Sequence, residues 1–353
     1  MPSWDSRVDS GRRYEDGGVD VVHLRALPGP AALGVTADCW QSVWRSAAAA
    51  ADVVHLFKPL GPPAAVALAL QVGQALGARR RLVLDTDDWE EGWARRSGSP
   101  LAPLVAVFER RLMRTVEAVT AASEALVQMA AELRRDGGSV WYLPNGAPAP
   151  VPGRAPEHAA LRGRLGLADV PLLLLFTRYT ECPPPRLVEV LGQVLSRSSS
   201  AHLLVVGTGF ADEEERLRRG LEERGLVGRV HFAGWVPSAG LESYLSAADV
   251  ALFPCDDDPV LRAKCSVKLA QLLALGVPVV AEAVGSCRSY ITHAQTGLLV
   301  APGAATDMAE AVAALLASPE ERERLGRAAR EQMAAQFSWS TLALRAEQAY
   351  ASE

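Results

Sequence analysis

The chain has 353 residues, 49% hydrophobic and 22% charged, with a formal net charge of −5. A single core rarely organises that much chain, so two domains are expected, and the acidic balance argues against a broad nucleic-acid surface. Five scattered cysteines (Cys39, Cys182, Cys255, Cys265 and Cys287) with no CxxC pair argue against a disulfide frame or a zinc site and fit a reducing cytoplasm.

The first twenty residues are polar and charged, unlike a secretory leader. Next comes the longest apolar stretch, 62–78, which Gln71, Gly73 and Gln74 interrupt. It is too short and too broken to span a bilayer, which leaves peripheral membrane contact at most. The triplet Arg79-Arg80-Arg81 reads as a solvated helix end. Apolar runs at 19–24, 52–57, 82–84, 118–121 and 140–143 alternate with amphipathic stretches such as 101–115. After a Pro-rich segment the pattern restarts with runs at 172–177, 202–207, 229–232, 250–253 and 277–281. Helical stretches at 186–197, 213–224, 241–247 and 267–275 separate them. Such alternation is the mark of parallel strands joined by crossover helices. It predicts an α/β chain of two Rossmann-like, doubly wound domains facing a cleft. The expected division is a first domain at 1–146, a linker at 147–158, a second domain at 159–335, and a C-terminal helix at 336–353 packing back on the first domain. Ligands of open parallel sheets sit at the carboxyl ends of the strands, so the chemistry is sought there.

Four constellations occupy such ends. Gly207-Thr208-Gly209 follows an apolar strand and lets a ligand approach bare backbone, although a tight turn without a ligand reads equally well. Around the expected helix 267–275, Ser266 is a candidate N-cap, with Arg262, Lys264 and Lys268 close by. Cations are out of place at a helix N-terminus unless an anion such as a pyrophosphate sits there; the alternative is salt bridges with Asp256–Asp258. Asp85-Thr86-Asp87-Asp88-Trp89-Glu90 follows another strand. Its carboxylates serve as a base, as hydroxyl ligands or as a metal site, or else the loop merely caps the next helix. Arg178, at the end of the run 172–177, is aimed where a phosphate would be gripped. Lys58 reads as a site lysine or a surface lysine, and His23, His55 and His231 read as core residues.

Taken in order, these pieces resemble the GT-B fold glycosyltransferases of family 4 (glycosyltransferase group 1). The resemblance rests on Pro144-Asn145-Gly146, Leu204-Val205-Val206-Gly207 with Gly209, and Val230-His231-Phe232-Ala233-Gly234-Trp235-Val236-Pro237. It extends through Tyr244-Leu245-Ser246-Ala247-Ala248-Asp249-Val250, Gly276-Val277-Pro278-Val279-Val280 and Thr296-Gly297-Leu298-Leu299-Val300. In the first half only Asp52-Val53-Val54-His55 matches. The resemblance implies transfer of a sugar, hexosyl or related, from a nucleoside diphosphate sugar to an acceptor hydroxyl with retention, and no metal at the diphosphate. Arg178 carries over as a pyrophosphate ligand, and Gly207, Gly209, Trp235 and Val236 as nucleotide contacts. Departures are plain: the family's lysine five residues after the arginine is Pro183 here, and its two glutamates fall near Ala263 and Gln271. The chain is similar instead to a divergent branch with a DDW cluster and a K-x-x-x-K-L motif. Lys264 or Lys268 is then expected to replace the missing cation, Ser266 to open the anion site, Gln271 to bond a ribose hydroxyl, and Asp87 or Asp88 to orient the acceptor. The glycine-rich first strand of most members has no counterpart, as a shortened start would give. The alternative function is a degenerate GT-B protein that binds nucleotide sugar as an auxiliary partner.

Overall fold

The computed structural model describes residues 11–24, 31–134, 137–147 and 157–351. The chain separates into two compact units: one holds the residues up to Leu143 with those from Arg345 onward, and the other runs Pro144–Leu344. Most of the expected linker, 148–156, falls outside the described residues.

The first unit opens with β1 (Arg13–Asp16) and β2 (Val19–Val22), an antiparallel pair. This corrects the reading of 19–24 as the first parallel strand. Gly17 and Gly18, at φ 57° and 86°, supply the two left-handed residues that a two-residue hairpin turn demands. Nearly all of the hairpin is exposed, so its valines do not mark a buried run. The parallel sheet comprises β3 (Val53–Phe57), β4 (Arg81–Thr86), β5 (Ala118–Ala121) and β6 (Ser139–Tyr142), paired in that order. Leu82 and Leu84 of β4 are fully buried against Leu112, Met113 and Val119. Arg80 does not lie free in solvent; it donates to the carbonyls of Ser46, Ala47 and Ala49 and closes the end of helix Ala31–Ala48.

Among its described residues the second unit carries six parallel strands: β7 (Leu172–Phe176), β8 (His202–Val206), β9 (Val230–Gly234), β10 (Val250–Phe253), β11 (Val279–Glu282) and β12 (Leu298–Val300). Their order across the sheet is β12-β11-β10-β7-β8-β9. The chain therefore starts at the centre, winds outward through β8 and β9, and returns beside β7 with β10. This is the doubly wound order with its switch point between β7 and β10, where the strand ends open a ligand crevice. All four leucines of β7 are buried, as a central strand covered on both faces requires. Helices Pro319–Gln336 and Trp339–Ala351 meet at the Phe337-Ser338 break. Among the described residues no helix is long and apolar enough to cross a membrane.

Candidate functional site

In the second unit the groups of interest converge on the ends of β7 and β10. Past β7 the chain turns through Thr177, Arg178 and Tyr179, and Tyr179 takes a left-handed φ of 62°, costly for a residue with a side chain. Its amide donates to Thr177 Oγ1 at 2.8 Å, which fixes the turn. Opposite lies Gly207, whose φ is 108° and where a Cβ would stand 2.0 Å from the Thr177 carbonyl oxygen. Only glycine permits this approach of β8 to the β7 turn. At the mouth of the same loop Phe210 follows Gly209 directly, and the Arg178 guanidinium lies 4.3 Å over its ring. The stacking orients the guanidinium, and nothing in sequence spacing pointed to Phe210.

Helix Val267–Leu275 begins beside this turn. Ser266 caps it, its hydroxyl accepting from the Leu269 amide, and Gly276 closes it in the left-handed conformation. Lys268 Nζ donates to Glu181 Oε1 at 2.6 Å, and Lys264 Nζ stands 3.7 Å from the same oxygen. Neither alternative from sequence described this pairing. Of the cations named beside the aspartate run, Arg262 pairs with Asp257, in the open, while the two lysines turn to a carboxylate more than eighty residues upstream. Burial opposes ionisation of Glu181, but Lys268 and Lys264 outweigh it and hold the carboxyl below its ordinary value. Lys268 is pulled below the usual lysine value, by burial first, with Lys264 and Arg178 acting the same way against Glu181. Pro183, where a lysine was expected, is the N-cap of helix Pro184–Arg197, which opens on two prolines. From that helix Arg186 pairs with buried Glu282 and, at 2.7 Å, with Asp256. Glu282 also accepts from the amides of Cys255 and Gly303 and so ties three strand ends together.

The structure thus gathers Arg178, Lys264, Ser266 and Lys268 at the switch point. Gly207 and Gly209 stand at the neighbouring strand end, and exposed Trp235 and half-buried Val236 follow β9. Gln271 lies one turn into the capped helix, partly buried.

Asp87 and Asp88 belong to the first unit, in the turn after β4. Lys58, whose φ of 71° is again left-handed, sits among their carboxylates: 2.8 Å from Glu90, 3.3 Å from Asp87 and 3.9 Å from Asp88. Those acids, working against burial, hold Lys58 above its usual pKa. The turn does not cap the next helix. Trp89 at the N-cap offers no side-chain bond, and the first helical amides, Glu90 and Glu91, donate at 3.0 and 2.9 Å to Glu109 of the following helix. Burial pushes Glu109 up to about 7, the two amides opposing it. Beneath the turn runs a hydrogen-bonded chain. Thr120 donates to Asp85 at 2.6 Å, so its oxygen is left to accept from His55 Nε2 at 3.3 Å, and His55 Nδ1 accepts from Tyr350 at 2.9 Å. Burial raises Asp85 to about 6 and lowers His55 to about 4, so the imidazole is neutral. His55 is thus a bonded link rather than a packed core ring. Among the described residues no group of three or more His, Cys, Asp or Glu side chains is placed to hold a metal.

Comparison with known proteins gives two family matches that divide the chain as the units do. Residues 180–318 match "Glycosyl transferases group 1" and residues 5–146 match "Glycosyl transferase 4-like domain". A GDP-mannose-dependent alpha-(1-6)-phosphatidylinositol monomannoside mannosyltransferase of Mycobacterium tuberculosis is 30% identical over 292 residues, covering 79% of this chain and 72% of its own. Among solved structures, sucrose-phosphate synthase from Thermosynechococcus elongatus superposes with a TM-score of 0.72 at 24% identity, over 96% of this chain and 84% of that one. Anabaena HepE in complex with UDP gives 0.65 at 20% identity, over 93% and 85%.

Proposed function

The chain belongs to the group 1 glycosyl transferases, and we propose that it moves a glycosyl group from a nucleoside diphosphate sugar to an acceptor hydroxyl, with retention. The observation that carries this reading is the convergence of Arg178, Lys264 and Lys268 on a capped helix N-terminus at the switch point of the second sheet. When the glycosidic bond breaks, negative charge develops on the departing diphosphate. Cations and oriented amides already in place stabilise it without reorganising, which is commonly the largest single contribution to such catalysis. These side chains take the role a divalent ion plays elsewhere, so turnover is expected to survive chelation by EDTA. Gly207 and Gly209 admit the donor close to the backbone, Trp235 and Val236 meet the base, and Gln271 bonds the ribose. Asp87 and Asp88 orient the acceptor. GDP-mannose is the first donor to try, because the mycobacterial relative is named for it; that relative's phosphatidylinositol monomannoside is the first acceptor.

The test is thermal stabilisation by GDP-mannose, UDP-glucose and the ADP-, TDP- and CDP-sugars, with Lys264→Ala and Lys268→Ala beside the wild type. A ligand at a hundred times its dissociation constant stabilises by about 2.7 kcal/mol. One nucleotide sugar that shifts the wild type and neither variant supports the donor site. No shift with any of them removes the proposal.

A further inference from the structure

Among the described residues Glu181 is an acidic group set directly among the cations of the proposed donor site, and its placement is specific. Its side chain is 6% exposed, receives Lys268 at 2.6 Å, faces Lys264 at 3.7 Å and accepts from Thr180 at 3.0 Å. Its carbonyl receives the Asp256 amide at 2.8 Å, which joins the β7 turn to the end of β10. A carboxylate beside a diphosphate pocket opposes binding, so its presence there needs a reason. The charged groups that act most strongly on Lys268 are Glu181, Lys264 and Arg178. Three cations against one carboxylate leave the cluster about two positive charges in excess. In a nucleoside diphosphate sugar both phosphates are esterified and the diphosphate carries about two negative charges. Transfer breaks the bond between the anomeric carbon and the diphosphate oxygen, and the diphosphate keeps the electron pair. The acceptor oxygen bonds the sugar and gives up its proton. The released diphosphate then carries about three negative charges at neutral pH, since a terminal phosphate loses its second proton near pH 6.

We infer that Glu181 lowers the charge of this cluster to match the sugar nucleotide rather than the released diphosphate, and so favours donor capture and product release. The inference rests on the donor site proposed above. Without the carboxylate the cluster would match the product and hold it. Because both lysines keep Glu181 ionised, the discrimination is present throughout the neutral range.

Isothermal titration with GDP and GDP-mannose, and with UDP and UDP-glucose, decides the matter for wild type, Glu181→Gln, Lys264→Met and the double variant. Glutamine keeps an acceptor for Lys268 while removing the charge. In Glu181→Gln the affinity for the free diphosphate is expected to rise tenfold or more relative to its sugar. The double variant, with the charge balance restored, is expected to return to the wild-type ratio. If Glu181→Gln does not fold, the double variant is read against Lys264→Met and must favour the free diphosphate more strongly. An unchanged ratio in these pairs overturns the inference while leaving the donor site intact. Failure of the wild type to bind any of the four ligands overturns the donor site itself.

Discussion

The two units place opposite charge arrangements at the same structural position, the carboxyl ends of parallel strands. In the first unit one lysine, Lys58, stands among the carboxylates of Asp87, Asp88 and Glu90; in the second, one carboxylate, Glu181, stands among lysines. Each turn also contains a non-glycine residue forced into a left-handed conformation, Lys58 in one and Tyr179 in the other. What separates them is water. The Lys58 side chain is 47% exposed, whereas Lys268 and Glu181 are 14% and 6% exposed. Solvent screens the acidic turn, so its lysine is held by weak, exchangeable pairs. The cationic cluster is fixed in a low-dielectric setting where charge acts strongly, as the proposed stabilisation of a developing diphosphate requires.

Deleting the lysine from each side tests that contrast most sharply. Lys268→Ala leaves buried Glu181 with the more distant Lys264 as an ion-pair partner and the Thr180 hydroxyl as a donor, and loss of one member of a buried pair costs about 3–5 kcal/mol. Lys58→Ala removes a half-exposed partner, and loss of such a pair costs about 1 kcal/mol or less. Urea denaturation of both variants measures the difference, and equal losses would end the comparison. Next in size is Arg178→Ala. Removing one charge partner of a transition state lowers turnover by about a hundredfold or more, read as kcat at saturating donor. Near-normal turnover removes Arg178 from the chemistry.

Glu109 offers a test on the acidic side. It holds two helix amides, and with net contributions of about 1 kcal/mol for each hydrogen bond, Glu109→Ala is expected to cost about 2 kcal/mol. If those bonds also set the acidic turn, the acceptor KM rises while donor affinity is unchanged. A change in donor affinity alone would place Glu109 outside acceptor recognition.

The sequence showed these arrangements unevenly. The four leucines of β7, the Ser266 cap and the Gly276 stop are local signals, and each appears in the structure where spacing put it. The hairpin at 13–22 was misread because its valines resemble a buried run, while the Gly17-Gly18 turn that reveals it is a matter of backbone conformation. Glu181, Glu109, Phe210 and Tyr350 gave no signal, because their roles come from partners distant in the chain or from a stacking contact. His55 and Tyr350 are 295 positions apart. Charge near a strand end says that chemistry is there; which carboxylate meets which lysine is decided by tertiary packing.

The smallest effect concerns the chain of bonds under the acidic turn, where two groups titrate against each other. His55 is lowered from its ordinary value near 6.5 to about 4. Between those values the unfolded chain binds a proton that the folded one does not, so its contribution to stability rises with pH. Asp85 is raised from the usual carboxylate value to about 6. Here the folded protein holds the extra proton, and its contribution falls as pH rises from about 4 to 6. Across that window the two nearly cancel. Asp85→Asn keeps an acceptor for Thr120 and removes one of the opposing slopes. Its stability relative to wild type is expected to climb by about 1 kcal/mol per pH unit from pH 4 to 6, while His55→Gln drifts the opposite way. Urea midpoints at pH 4.5, 5.2 and 6.0 show this as curves that diverge in opposite senses. Curves parallel to the wild type would mean that neither group's pKa differs between the folded and the unfolded chain, so that burial under the acidic turn perturbs neither.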